Sequence, residues 1–269
     1  MVDILLSTYN GEKYLSEQID SILNQTYKDW HLLIRDDGSV DETISIISKY
    51  VSKYPNKITW INNEDVRNVG VIRSFEALMK ESTSPCFMFC DQDDVWLPNK
   101  IEQTLKVLQQ HEKKFGVETP LLVHTDLNVV DKDLNEIHHS FFKMSRFNPT
   151  KIHSNIHFSL MYNCVTGCTV MGNEKARKIS LPIEEWADMH DSWVTRKVLL
   201  NAGKVITIPN PTMLYRQHGK NVLGSNHQLT IRGRILYLYS IYRQYKKLLP
   251  KYKFIAVPLF IYWRFMYRF

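Results

Sequence analysis

The sequence predicts an α/β fold, a mostly parallel central sheet with helices on both faces, followed by a basic, aromatic helical extension. Three observations predict it. Short apolar runs alternate with amphipathic stretches through residue 124, the signature of successive βα units. Polar residues gather just after those runs, at Ser7-Thr8-Tyr9-Asn10, Asp36-Asp37 and Asp91 to Asp94. Sheets of this kind bind ligands beyond the carboxyl ends of their strands. Finally, residues 229–269 hold nine Lys/Arg and twelve aromatics, a sharp change of composition.

Each element follows from its pattern. Ile4-Leu5-Leu6 is a short apolar strand, and Tyr14 to Gln25 a helix with Leu15, Ile19, Ile22 and Leu23 on one face. His31 to Ile34 is the second strand; Asp41 then reads as the N-cap of a helix carrying Ile44, Ile46, Ile47 and Val51. Ile58 to Ile61 is a strand, Val71 to Glu81 a helix, and Phe87 to Cys90 the fourth strand. Pro98 opens a helix reaching Lys114, and Leu121 to His124 is the fifth strand. Beyond residue 124 the rhythm breaks. Asn128 to Asp131 and Cys164 to Met171 read as strands of a mixed extension, separated by a long segment rich in His and Asn. Trp193 to Leu200 reads as a helix, and Val205 to Ile208 and Thr212 to Tyr215 as two further strands. This second half is expected to build the other wall of a cleft.

With 269 residues, 44% of them apolar, the chain is too apolar to be disordered and fits one core of about 200 residues plus an appendage. It shows no collagen, heptad or longer repeat. Its first residues lack a basic n-region and a sufficient apolar run for a signal peptide, so a cytoplasmic location is expected. Cys86, Cys90, Cys164 and Cys168 form two C-x-x-x-C pairs in apolar surroundings, which reads as reduced, buried thiols.

Charge is unevenly spread. All 28 acidic residues lie at or before Asp191, whereas residues 192–269 carry 14 Lys/Arg and no acid. Such a tail wants an anionic surface. Its aromatics and aliphatics, in apolar runs of about 10 residues, are too short to span a bilayer but suit the headgroup layer. Attachment to a membrane surface is therefore favoured over a simple packed helix pair, and over nucleic acid, which would explain the cations but not the aliphatic bulk.

Asp91-Gln92-Asp93-Asp94 places three carboxylates in four positions after an apolar strand. Like charges so close call for a cation or for screening by solvent. Hard Mg²⁺ or Mn²⁺ suits oxygen ligands, and such an ion commonly completes its shell with phosphate oxygens and water. A calcium loop fails because Trp96 stands where that loop needs Gly. A solvated turn capping the next helix is the bland alternative. Asp36-Asp37-Gly38-Ser39 is either a plain turn or a site that reads a base or ribose. Neither G-x-G-x-x-G nor a P-loop is present, which disfavours dinucleotide redox enzymes and P-loop ATPases. No G-x-S-x-G elbow supports a serine hydrolase. Asp191, in His190-Asp191-Ser192-Trp193, is either an N-cap or a general base. His218, in Arg216-Gln217-His218-Gly219, is a candidate metal or phosphate ligand.

Taken together, Ser7-Thr8-Tyr9-Asn10-Gly11-Glu12, Asp36-Asp37-Gly38-Ser39, Asn68-Val69-Gly70, Asp91-Gln92-Asp93-Asp94-Val95-Trp96-Leu97-Pro98, His190-Asp191 and Tyr215-Arg216-Gln217-His218-Gly219 resemble glycosyltransferase family 2 over about residues 2–225. The D-Q-D-D-V-W-L-P and Y-R-Q-H-G strings most resemble its bacterial rhamnosyltransferase-like branch, which makes capsule and cell-wall polysaccharides. The resemblance implies a type A glycosyltransferase fold and an inverting, metal-dependent transfer from a nucleotide diphosphate sugar. By family pattern Ser7 and Tyr9 line the nucleotide pocket, Asp37 holds the pyrimidine with Asp36 close by, and Arg73 reaches the diphosphate. Asn68 and Gln92 join the nucleotide-sugar site. Asp91 contacts the ribose or metal shell, Asp93 ligates the metal, and Asp94 touches sugar or metal. Asp191 matches the catalytic base, and His218 a downstream metal or diphosphate ligand. The chain departs from the pattern at His190, where many relatives have an acid, and at Ser192 before Trp193, where many have an aromatic directly after the base; both departures are expected near the acceptor.

The expectation is a catalytic domain over residues 1–225, its nucleotide-binding half ending near 124 and its acceptor half spanning 125–225. Residues 226–269 are the membrane-associating extension. The donor expected is dTDP-L-rhamnose, the acceptor a lipid-linked oligosaccharide at the inner face of the plasma membrane. A UDP-hexose or UDP-N-acetylhexosamine donor, a nucleotidyltransferase and a non-catalytic sugar-nucleotide binder are the alternatives.

Overall fold

The computed structural model describes residues 1–62, 64–219, 231–249 and 256–267. Its elements run β1 (Val2–Thr8), α1 (Leu15–Leu23), β2 (Trp30–Asp36), α2 (Thr43–Lys53), β3 (Ile58–Trp60), α3 (Val71–Glu81), β4 (Cys86–Cys90), β5 (Val95–Trp96), α4 (Lys100–Phe115), β6 (Leu121–Val130) and β7 (Glu136–His138). Then come α5 (Phe141–Met144), α6 (Pro149–His153), α7 (Ile156–Met161), a 3-10 turn (Gly167–Thr169), β8 (Val170–Asn173), α8 (Glu174–Ile179), α9 (His190–Leu200), β9 (Lys204–Arg216), α10 (Ile231–Leu248) and α11 (Ala256–Met266).

The strands form one sheet in the order β3-β2-β1-β4-β8-β6-β9-β5, with β7 paired to β6. β1, β2, β3 and β4 are mutually parallel, as are β6 and β9. β8 enters antiparallel between β4 and β6, and β5 pairs antiparallel with β9. Alternation along the strands divides the core. Ile4, Leu6, Leu32, Ile34 and Met88 face Leu15, Ile19 and Ile22 of α1, Ile47 of α2 and Ile101 and Leu108 of α4. Leu5, Leu33, Phe87 and Phe89 face Phe75, Leu78 and Met79 of α3 and Trp193, Val194 and Val198 of α9. Helices thus cover both faces of a sheet whose period-2 pattern buries both sides.

The second half differs from expectation in four ways. Leu121–Val130 is one ten-residue strand, so Asn128 to Asp131 is no separate element. The expected strands at 205–208 and 212–215 are one strand, β9. Its register against β6 slips between Thr125↔Ile208 and Asp126↔Pro211, where Pro209 and Pro211 lack the N–H that a ladder needs. Cys164 to Met171 is extended only from Val170, because Gly167–Thr169 winds into a 3-10 turn. The His- and Asn-rich segment is built of short helices α5, α6 and α7, capped by the side chains of Ser140, Asn148 and Asn155. Polar residues that blur periodicity are the ones that cap.

At the C-terminal side, Ile241, Tyr245 and Leu249 pack with Leu160 and Met161 of α7. Tyr245 Oη and His157 Nδ1 share a 2.7 Å hydrogen bond, and Trp263 of α11 stacks on the same His157 ring at 4.9 Å. Val257, Ile261, Tyr262 and Met266 of α11 remain exposed. Among the described residues no helix is long and apolar enough to cross a membrane. The expected boundary at 225/226 lies outside the described residues.

Candidate functional site

Three parallel strands end at one edge of the sheet, and their next residues meet there. After β1, the backbone of Tyr9 is clipped by Gln92: its N–H donates to Gln92 Oε1 at 2.8 Å, and its carbonyl accepts from Nε2 at 2.9 Å. A Cβ at Gly11 would meet Gln92 Oε1 at 2.3 Å, so a larger residue there would displace the clip. Ser7 Oγ shares a 2.7 Å hydrogen bond with Ser74 Oγ, while the Tyr9 side chain is exposed.

After β2, the two aspartates do different work. Asp36 is fully buried and accepts from Thr8 Oγ1, Ser39 Oγ, Gly38 N and Ser39 N. Both its oxygens are spent on the turn. Asp37 accepts from Arg35 Nη1 and Val69 N through one oxygen, both at 2.7 Å, and from Gly70 N at 2.9 Å through the other. It pins the Asn68-Val69-Gly70 segment, with Asn68 itself exposed. Arg73 donates to Glu76 and to the Ile183 carbonyl, and with Arg35, Asn62, Arg67, Val69 and Lys80 it lines a cavity of about 640 Å³. The carboxylates of Asp91 to Asp94 do not line this cavity. The structure thus sets Arg73 beside Arg35 and Val69, both bonded to Asp37, in a cavity apart from the acidic cluster.

After β4, Asp91, Asp93 and Asp94 converge with residues from later in the chain. Asp94 is fully buried; Oδ1 accepts from Arg216 N at 3.1 Å, and Oδ2 has no hydrogen-bond partner among the described residues. A carboxylate oxygen of Asp91, one of Asp94 and Cys168 Sγ lie within 4.8 Å of one another. Asp93 Oδ2 meets His218 Nε2 at 2.7 Å. His218 stacks on Tyr14 at 5.0 Å, and the Arg216 guanidinium lies 4.5 Å from the same ring. Arg216 is tied down further, donating to the carbonyls of Asp93 and Lys132 and to Glu17.

Asp191 lies in the first turn of α9, whose N-cap is Met189. It is therefore not the cap. Asp191 Oδ2 accepts the Gly167 N–H at 2.9 Å, and Oδ1 the N–H of Ser192. Gly167 has no room for a side chain, because a Cβ would stand 2.8 Å from His190 Nε2.

The electrostatics follow from crowding and burial. Burial foremost pushes Asp191 up to about 7. It does the same to Asp91, also about 7, with the negative charges of Asp93 and Asp191 adding to the rise. Asp94 is driven well above the carboxylate range by burial and then by Asp93 and Asp91. One partial counter-charge is internal: Lys100, fully buried, 3.3 Å from Thr212 Oγ1, its ammonium lowered to about 8 by desolvation. Asp91 and Asp94, close together, and the Asp93–His218 pair beside them offer carboxylate oxygens and an imidazole, donors that suit a hard divalent ion such as Mg²⁺ or Mn²⁺. Cys168 stays a neutral thiol, its pKa raised well above the usual value by burial and by Asp94 and Asp91.

His190 and the residues after Asp191 are turned into the protein rather than toward an open acceptor side. His190 stacks on Phe75 at 3.9 Å and meets Phe89 edge-on at 4.7 Å; burial lowers its pKa to about 3. Trp193 donates to the Ser180 carbonyl. Sequence reasoning missed Tyr14, Glu17, Gly167, Cys168 and Lys100. Of these, Gly167 alone carried a signal, as a glycine in an apolar run.

The α/β sheet with its acidic strand ends has the type A glycosyltransferase fold. TarS of S. aureus (residues 1–349, in complex with UDP) shares the fold at a TM-score of 0.59 and 17% identity, over 91% of this chain and 65% of that one. The mannosyltransferase PcManGT from Pyrobaculum calidifontis, in complex with GDP-Man and Mn²⁺, does so at 0.65 and 15%, over 96% and 68%. The chain belongs to glycosyl transferase family 2, whose model matches residues 3–168. Curated relatives include the putative glycosyltransferase EpsE of Bacillus subtilis, 32% identical over 48% of this chain and 45% of its own length. The dTDP-rhamnosyl transferase RfbG of Shigella flexneri is 26% identical over 82% of this chain and 74% of its length. WfgD of Escherichia coli, a UDP-Glc:α-D-GlcNAc-diphosphoundecaprenol β-1,3-glucosyltransferase, is 30% identical over 43% and 44%. The chain spans about half the length of several curated relatives it matches.

Proposed function

We propose that this chain transfers L-rhamnose from dTDP-L-rhamnose, with inversion, onto a hydroxyl of a lipid-linked oligosaccharide at the inner face of the plasma membrane, in synthesis of a bacterial surface polysaccharide. The observation that carries the chemistry is the nearness of two carboxylate groups. Asp91, Asp93 and Asp94 gather at one strand end, and Asp191 is held by the N–H of Gly167, the neighbour of Cys168, whose Sγ lies within 4.8 Å of Asp91 and Asp94 oxygens. The donor preference rests on the match to RfbG, which extends over 82% of this chain.

In this reading Asp93, Asp91 and His218 hold Mg²⁺ or Mn²⁺, and Asp94 sits beside them. When bound, the ion neutralises negative charge gathering on the departing diphosphate. The protein supplies the rest. Ser7, Tyr9, Asp37 and Asn68 take the nucleoside, with Asp36 setting the turn and Gln92 holding the Tyr9 backbone to shape the pocket. Arg73 faces the donor side. Asp191 takes the proton from the acceptor hydroxyl as its oxygen attacks the anomeric carbon opposite the leaving diphosphate. A carboxylate raised to about 7 is matched to that task near neutral pH. The N–H groups of Gly167 and Ser192 fix its orientation. Residues 125–225 form the acceptor wall, and residues 226–269 the membrane-associating segment. The exposed apolar residues of α11, in a part of the sequence without acidic residues, suit a headgroup layer.

Calorimetry with dTDP-L-rhamnose, UDP-glucose, UDP-galactose and UDP-N-acetylglucosamine, each with and without Mg²⁺ or Mn²⁺, tests the proposal. Metal-dependent preference for dTDP-L-rhamnose is expected. Preference for a UDP-sugar would replace the donor while keeping the site, and no binding by any would overturn the proposed site.

A further inference from the structure

A second cluster lies away from the acidic strand ends, on the α6–α7 side of the sheet. His124 on β6 and His153 at the end of α6 bring their Nε2 atoms to 3.0 Å of each other. Cys164, just after α7, places Sγ 3.5 Å from His153 Nε2. The three donor atoms all lie within 4.8 Å of one another. Around a tetrahedral zinc, bonds of about 2.0–2.3 Å put two nitrogens about 3.3 Å apart and nitrogen and sulfur about 3.6 Å apart. The two measured contacts are within a few tenths of an ångström of those edges.

We infer that His124, His153 and Cys164 form a structural zinc site that ties α6 and the segment after α7 to the central sheet. The donor set contains no carboxylate, and imidazole with thiolate suits Zn²⁺ rather than the Mg²⁺ or Mn²⁺ of the acidic cluster. His124 is fully buried and Cys164 nearly so. Burial keeps both imidazoles neutral, the state in which they ligate. On binding, the Cys164 S–H bond breaks, a sulfur–zinc bond forms, and the proton leaves to solvent. Three protein donors leave the remaining tetrahedral position to water.

The fold gives the site a purpose. α5, α6 and α7 have four, five and six residues, too short to be stable helices without tertiary support. The segment they form leads directly into Gly167, whose N–H holds Asp191. A cross-link at Cys164 would brace that approach.

The test is metal content of the full chain purified without chelator, followed by Co²⁺ titration of the zinc-stripped protein. About one zinc per chain and a thiolate-to-cobalt charge-transfer band are expected. Cys164→Ser should abolish the band, and His153→Asn should weaken zinc binding roughly tenfold or more. Cys168→Ser should leave both unchanged, which separates this site from the acidic cluster. No band in the parent chain, or a band lost in Cys168→Ser and kept in Cys164→Ser, overturns the inference. So does zinc retained equally by the parent, Cys164→Ser and His153→Asn. None of these readouts depends on the proposed transferase activity.

Discussion

Asp191 concentrates two opposed demands in one side chain. The proposed chemistry needs it ionised, yet it is 6% exposed and burial lifts its pKa to about 7. The folded chain holds this proton more tightly than the unfolded one. The group's stabilising contribution is therefore complete below about pH 4 and is lost as pH rises through about 7. Asp191→Asn is expected to cut turnover by roughly 10²–10⁴-fold with donor affinity little changed. The same variant should be more stable than the parent at pH 8, by about 1–4 kcal/mol, with the gap closing toward pH 4. Parallel activity assays, donor calorimetry and denaturation at the two pH values check this. Loss of donor binding together with activity would assign Asp191 a structural role instead. Gly167→Ala pushes a methyl group to 2.8 Å from His190 Nε2. It should cost about 1–3 kcal/mol of stability and lower turnover more than donor affinity, read from the same two assays. Asp91, Asp93, Asp94 and Asp191 were legible in the sequence because carboxylates after an apolar run, or beside a helix start, stand out by type. Lys100 was not legible. A lysine near a helix start reads as a solvated charge, and only tertiary packing shows it sealed beside Trp96 and Thr212.

Among the elements, the turn after β2 shows how two adjacent aspartates divide their labour. Asp36 accepts four hydrogen bonds within the β1 and β2 ends, while Asp37 reaches the Val69-Gly70 backbone. Asp36→Ala should destabilise the protein by about 2–4 kcal/mol, since it orphans several buried donors. Denaturant unfolding measures it. Asp37→Asn should weaken nucleotide binding and also cost about 1–3 kcal/mol of stability, because its NH2 cannot accept and the buried Arg35 loses its ion-pair partner. The D-D-G-S string offered turn and base-reading site as alternatives, and in the structure the turn falls to Asp36. The first four strands and α1 to α4 were readable because each carries a clean period of 2 or 3.6. The stretch from Glu136 to Met161 was not. Its helices are shorter than the window in which periodicity is detectable, and their caps, Ser140, Asn148 and Asn155, resemble loop composition. β9 was read as two strands because its prolines look like a break, whereas a register slip absorbs them.

For the whole molecule, the contrast between an acidic front and a basic rear sets the expected behaviour. No acidic residue follows Asp191 in the sequence, and α11 turns Val257, Ile261 and Tyr262 outward. Sedimentation with anionic phospholipid vesicles should recover the full chain at low salt and release it as salt rises. Ile261→Asp, at a site 62% exposed, should weaken that binding roughly tenfold, since burying such a side chain is worth about 1.5–3 kcal/mol. Unchanged vesicle binding in this variant would mean that α11 does not enter the headgroup layer. The composition of the tail was plain from the sequence. How far it also packs inward, through Tyr245 on His157 and Trp263 on the same ring, was hidden, because the same aromatics serve both contacts.

The antiparallel run of β8 has one more consequence. β8 runs back against β6 with Val170 opposite His124, so the chain that leaves β6 at Val130 re-enters the sheet six residues short of that end. Everything in between, from Asp131 to Thr166, is an excursion between two neighbouring strands of the sheet. Such a cassette can be exchanged between relatives without re-threading the sheet. Because α7, within it, is also the platform for α10 and α11, a transplanted cassette would bring its own seat for those helices.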